Sequence, residues 1–210
     1  MTRTQYPGSE DLGRLLAGMG WTAGDQDLTG AVDAAVREFE ERTGRTMLAP
    51  ASDAVRAYDP PVAPDGVLEL GADLAGLTSL VYQPQGASPE TLTHYVDFWL
   101  LELNASQQGK PWTALRVRRR WLGPLPESLL RSILITGRWG YGATLPGDVW
   151  SAMLHRAAML LIPQQGYVLT AGRVRTVTAG VETAWGDEPL AGLAKGWERE
   201  FEAAVGRYRR

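Results

Sequence analysis

Hydrophobic positions in the first forty residues repeat with the period of a helix. Leu12, Leu15 and Leu16 share one side of residues 9–18, with Ser9 placed as a cap, before Gly18, Gly20 and Gly24 break the pattern. From Asp27 to Thr43 the stripe is clearer. Leu28, Val32, Ala35, Val36 and Phe39 fall on one face, while Arg37, Glu38, Glu40, Glu41 and Arg42 lie mostly opposite. Gly44 directly after them is a left-handed stop. Pro50, Pro60, Pro61 and Pro64 make 50–66 an irregular connection that no helix crosses.

Beyond that connection the period falls to two. Val67, Leu68 and Leu70 predict a short strand, Leu77–Gln83 a second, and His94–Leu103 a longer one rich in Tyr, Val, Phe and Trp. Over 112–121 the alternation sends Leu115, Val117 and Trp121 one way and Arg116, Arg118 and Arg120 the other. Residues 132–139, with Ile133 and Ile135, complete four or five strands, and the turn clusters between them require an antiparallel sheet.

Helical periodicity returns at Pro146, placed at the first helical position with Asp148 in the first turn. Val149, Trp150, Met153, Leu154, Ala157, Leu160 and Leu161 give a broad apolar face, so this central helix is largely buried, and Pro163 ends it. Residues 164–186 offer a weak hairpin at best, through Val174, Val177 and Val181. A last helix from Asp187 to about Tyr208 keeps Leu190, Leu193, Ala194, Trp197, Phe201, Ala204, Val205 and Tyr208 on one face. Gly192, Gly196 and Gly206 lower its intrinsic stability by about 1 kcal/mol each, so it needs a partner surface in its own chain or a neighbour. The order is helices, sheet, helices, an α+β pattern: a helical core with a β-rich insertion at 55–140, within one domain spanning 1–210.

Composition narrows the function more than it names it. Hydrophobic residues at 44% and charged residues at 21% are ordinary for a globular chain. No apolar run reaches membrane-spanning length, and Met1–Asp11 lacks a secretory signal pattern. With no cysteine there is no disulfide, thiolate metal site or cysteine nucleophile, which fits assembly in a reducing cytoplasm. A net charge of −3 argues against a dedicated nucleic-acid binder.

Candidate chemistry is sparse. His94 and His155, the only histidines, have no ligand cluster around them, so packing or surface roles are expected and no metal or cofactor. Gly137, Gly140 and Gly142 form G-x-x-G-x-G with no Lys-Ser or Lys-Thr after it, which reads as a turn. No serine sits in a nucleophile elbow, so no catalytic residue is assigned. The Arg116–Arg120 segment is the best electrostatic feature: it faces DNA or a partner, or is neutralised by carboxylates such as Glu102 on a neighbouring strand. Among the eight tryptophans, Trp139, Trp185 and Trp197 are candidate docking anchors, as is Tyr141 beside the first.

Two segments carry a resemblance. One is Ala31 to Thr46, AVDAAVREFEERTGRT; the other is Ile135 to Leu161, ITGRWGYGATLPGDVWSAMLHRAAMLL. In this order, with a β-rich stretch between, the chain resembles the head–tail connector (adaptor, or head-completion) proteins of long-tailed bacteriophages. The resemblance implies a virion neck protein, assembled in the host cytoplasm: a ring of roughly twelve copies beneath the portal, extending the DNA channel and docking a tail or stopper protein. It also implies that the C-terminal segment meets the portal or a sister subunit, here Trp197, Phe201, Tyr208, Arg209 and Arg210. The loop 164–185 would reach a neighbouring subunit or tail protein. DNA would pass without sequence-specific binding, and a mildly acidic chain suits sliding. The long 55–140 section sets this chain apart from the shorter all-helical members. The competing reading is a nucleic-acid-binding protein that uses Arg116, Arg118 and Arg120.

Overall fold

A computed structural model describes residues 3–19, 23–62, 64–102, 104–105, 107–118, 125–161, 167–170, 173–178, 181–185 and 189–210, with the backbone alone over 167–185 and 189–191. The chain divides into two compact units, one of residues 1–44 with 145–210 and the other of 45–144.

Four helices build the first unit: α1 (Ser9–Gly18), α2 (Asp25–Thr43), α3 (Gly147–Leu161) and α4 (Pro189–Tyr208). Their ends follow local chemistry, sometimes shifted from expectation. Gly8, not Ser9, caps α1, because its carbonyl accepts the Leu12 N–H at 3.1 Å while its own N–H reaches Asp11 Oδ2 at 3.0 Å. Asp25 and Asp27 favour the first turn of α2, which starts two residues early, and Gly44 ends it at φ +67°. Pro146 stands just outside α3, its carbonyl accepting the Trp150 N–H at 3.0 Å. The stop expected at Pro163 lies outside the described residues.

The predicted stripes meet in one core. Leu12 and Leu16 of α1, Leu28, Val32 and Ala35 of α2, Leu154, Ala157 and Leu161 of α3, and Trp197 of α4 are buried together. Each fully buried large side chain there contributes roughly 1.5–3 kcal/mol relative to exposure.

The second unit is a six-stranded antiparallel sheet, one strand more than the upper expectation. It holds β1 (Ala54–Tyr58), β2 (Val67–Tyr82), β3 (Glu90–Thr91), β4 (Phe98–Leu100), β5 (Trp112–Val117) and β6 (Ile133–Trp139), in the order β1-β6-β2-β5-β4 with β3 on β2. The two strands expected at 67–70 and 77–83 are one bulged strand. Gly71, at φ +59°, marks the first irregularity, and the register shifts again at Gly76 and beyond Leu77. Glycine is required opposite as well: a Cβ on Gly137 would lie 2.3 Å from the Gly76 carbonyl oxygen.

Other expectations change for equally local reasons. The supposedly irregular 50–66 contains β1, which Pro60 and Pro61 stop from extending. The strand expected over 94–103 shrinks to three residues, because Asp97 takes the Thr93 N–H on its carboxylate and returns its own N–H to the Thr93 carbonyl, both at 2.8 Å. Tyr95 inside that turn has φ +65°.

The core of this unit joins Leu68, Leu74 and Leu80 of β2, Phe98 and Leu100 of β4, Leu115 and Val117 of β5, and Ile133, Ile135 and Trp139 of β6. Asp73, only 4% exposed, meets Arg45 Nη1 through Oδ1 at 2.6 Å, and its carbonyl accepts the Gly140 N–H at 2.9 Å.

Back in the helical unit, the weak hairpin expected at 164–186 is a three-stranded antiparallel sheet: β7 (Tyr167–Thr170), β8 (Arg173–Thr178) and β9 (Val181–Trp185). Runs of valine and threonine extend the backbone there even though glycines interrupt them.

Candidate functional site

The face of α4 that was expected to meet the portal or a sister subunit is occupied by its own chain. Trp197 and Phe201 are 6% and 1% exposed. Trp197 lies in the helical core with the His155 ring of α3 stacked on it, centroids 4.9 Å apart and planes 13° from parallel. Phe201 meets Phe39 of α2 edge-on at 5.7 Å, with the Arg42 and Arg156 guanidinium groups 5.5 and 5.4 Å from its ring centre. These two are packing residues, not docking anchors, because the stripe that contains them faces α2 and α3. Tyr208 is half-buried, its hydroxyl donating to Asp148 at 3.2 Å. Arg209 and Arg210 are exposed, and the Arg210 N–H closes onto the Thr43 carbonyl at 3.0 Å.

Charged pairs frame this packing. Arg42 holds Glu202 by two bonds of 2.7 and 2.6 Å, Arg156 holds Glu38 by two of 2.8 and 3.0 Å, and Arg207 meets Asp148 at 2.6 Å. The Arg42 hydrogen bonds draw the Glu202 carboxyl below its ordinary value and, reciprocally, raise Arg42. A depressed carboxyl stabilises the fold above its unfolded-state pKa, and that contribution disappears as pH falls through the lower folded-state value. Arg42 is charged throughout that range. Both side chains are substantially exposed, so Glu202→Gln is expected to cost only about 0.5 kcal/mol at neutral pH. The gap to wild type should close as pH falls through the lowered folded-state value, as urea denaturation at neutral and acid pH would show; a gap that persists in strong acid would contradict this account.

Asp148, Ser151, His155, Glu200, Ala203, Ala204 and Arg207 line an open cleft of about 370 Å³ between α3 and α4. It brings serine, histidine and a carboxylate together, with His155 Nδ1 2.9 Å from Glu200 Oε2. That is not a nucleophilic triad. No hydrogen bond joins Ser151 to His155 among the described residues, and Ser151 sits within α3, where backbone N–H groups are committed to the helix. The pair fastens α4 to α3.

In the sheet unit Trp139 is 5% exposed and gives its indole N–H to the Ala54 carbonyl at 2.9 Å, beside Tyr58 and Arg56. It is an internal brace, not a docking aromatic. Tyr141 is half-buried, its N–H donating to Thr46 at 2.8 Å. Trp185 ends β9, and its side chain lies outside the described residues, as does the whole of Arg120.

Arg116 and Arg118 are exposed, alternating with buried Leu115 and Val117 as the sequence pattern requires. The cross-strand neighbours of Arg116 are Val67 and Trp99, so the expected carboxylate pairing, with Glu102 as its example, does not form. His94 stacks with Tyr95 and Phe98 at 3.8 and 5.1 Å, and no group of residues suited to a metal occurs among those described.

The pairs that sequence reasoning missed join residues far apart in the chain: 28 positions for Arg45–Asp73, 45 for His155–Glu200 and 160 for Arg42–Glu202. No local spacing announces them.

No protein-family model matches the chain, and no curated protein matches it. Among solved structures the fold is similar to a chain in the neck of an empty GTA particle computed with C6 symmetry, with a TM-score of 0.55, 19% identity, and coverage of 100% of this chain and 94% of that one. It is also similar to a chain in the virion of a native gene transfer agent (GTA) particle, at TM-score 0.52 and 18% identity with the same coverage. The likeness establishes a shared fold over the whole chain, helices and inserted sheet together.

Proposed function

We propose that this chain is a structural subunit of the neck of a phage-like particle, a head-to-tail adaptor that forms a ring beneath the portal. In this reading the ring has roughly twelve copies, continues the DNA channel and docks the tail or a stopper protein. The observation that carries it is the end-to-end likeness to a chain found in a particle neck, including the order of helices and inserted sheet. The connector fold is then one functional body, with 55–140 elaborating it.

A cyclic ring needs two different patches that meet. The inner stripe of α4 is already used, so its outer side is the remaining helical surface of this element. Leu193 is 40% exposed there, and Cβ atoms added to Gly192, Gly196 or Gly206 would meet nothing within 4 Å. Arg209 and Arg210 at its end supply charge for a portal contact.

Mixing the purified chain with the portal protein of the same genome and imaging by electron microscopy tests the reading. A ring in register with the portal is expected. A chain that stays monomeric and ignores the portal would overturn it.

A further inference from the structure

We infer that the end of the sheet carrying Arg116 and Arg118 is a contact surface for the phosphate backbone of double-stranded DNA. This deepens the neck-subunit reading and rests on it for the place where DNA would be met.

Both guanidinium groups are exposed, and neither forms an ion pair among the described residues. Two carboxylates at the adjoining turns are engaged by backbone donors, Asp97 by the Thr93 N–H at 2.8 Å and Asp65 by the Val67 N–H at 3.1 Å. Glu69, exposed on the same face of β2, forms no ion pair with either arginine among the described residues. Burial of Leu115 and Val117 fixes β5, so Arg116 projects from the exposed face of a rigid strand, and exposed Arg118 follows directly after its last residue. The Arg118 N–H donates to the Asp97 carbonyl at 2.7 Å, which ties this strand end to the turn bearing Tyr95. Tyr95 is 65% exposed, held in its left-handed backbone by a 2.8 Å bond from its N–H to the Phe98 carbonyl and stacked on His94. Half-buried Trp99 lies directly across from Arg116. Two more arginines, Arg119 and Arg120, follow in the sequence.

Exposed guanidinium donors beside an exposed aromatic ring suit phosphates and carry no code for base edges. An overall charge of −3 keeps the attraction local and weak, as a channel lining that must let DNA slide requires. An acidic protein surface is the rival occupant. It is less favoured because a protein partner would also need a continuous apolar area, whereas the row across β2, β5 and β4 offers half-buried Val67 and Trp99 and the adjoining turn adds only exposed Tyr95 and Val96.

Fluorescence anisotropy of a short labelled duplex with the full chain, from about 50 to about 200 mM salt, tests the proposal. Wild type is expected to bind in the micromolar range or weaker, equally on two unrelated base sequences. The Arg116→Glu, Arg118→Glu variant should bind at least tenfold more weakly at low salt, with a salt slope smaller by about two. Arg37→Glu, an exposed change on α2, should leave binding unaltered, and unchanged circular dichroism would confirm that each variant folds. Equal binding by wild type and the double variant, or no wild-type binding at the lowest salt, overturns the proposal. So does a double variant that keeps DNA but loses the portal complex, which would assign the arginines to a protein. Ring formation by wild type on the portal is scored separately, so failure of the neck reading remains distinguishable.

Discussion

Phe201→Ala is expected to destabilise the helical unit by about 3–5 kcal/mol, the range for emptying a buried aromatic site. The ring is 1% exposed, meets Phe39 edge-on and lies within 5.5 Å of the Arg42 and Arg156 guanidinium groups. Truncation opens a cavity where α2, α3 and α4 meet and removes the support that places Arg42 and Arg156 for Glu202 and Glu38. Guanidinium denaturation followed by circular dichroism at the helical band measures the loss. A docking anchor would behave oppositely, leaving the midpoint unchanged and weakening only association. A loss below about 1 kcal/mol would therefore sink the packing assignment.

Asp73→Ala should cost about 3 kcal/mol in the sheet unit. The substitution removes a carboxylate that is 4% exposed and with it the 2.6 Å ion pair to Arg45, whose side chain is 16% exposed. Urea unfolding followed by tryptophan fluorescence, to which Trp99, Trp112 and Trp139 of this unit and Trp150 and Trp197 of the helical unit all contribute, measures the loss. Asp73→Asn keeps the shape and one acceptor, so its loss should be smaller. If both variants unfold with wild type, the pair contributes nothing and the account fails.

What could be read from sequence was whatever depends on short-range periodicity. The α2 stripe with Gly44 after it, the apolar face of α3, the alternation of β5 and the α+β order all express a repeat within one element. The errors have a shared cause. The two strands expected at 67–70 and 77–83 are one because a bulge and a turn both use glycine, here Gly71 and Gly76, and only the pairing with β5 and β6 distinguishes them. The turn at 93–97 depends on one aspartate reaching a backbone N–H, which a run of Tyr, Val, Phe and Trp conceals. The surface assignments were harder still. Trp197, Phe201 and Trp139 are the large aromatic residues a docking site would show, and they are also what a core needs. Composition does not separate the two uses, whereas burial does.

The helical unit is assembled from two stretches of chain separated by the whole of residues 45–144. During synthesis α1 and α2 therefore leave the ribosome well before α3 and α4 exist. Until then Val32 and Ala35 have only Leu12 and Leu16 of α1 to shelter them, and Phe39 lacks Phe201. Closing a long flexible loop to bring the late helices back is slow, and an intervening segment that folds first shortens the search. The inserted sheet thus sets the timetable of maturation: a lesion such as Asp73→Ala, remote in sequence from every helix, would leave nascent chains sticky for longer and lower the yield of helical product.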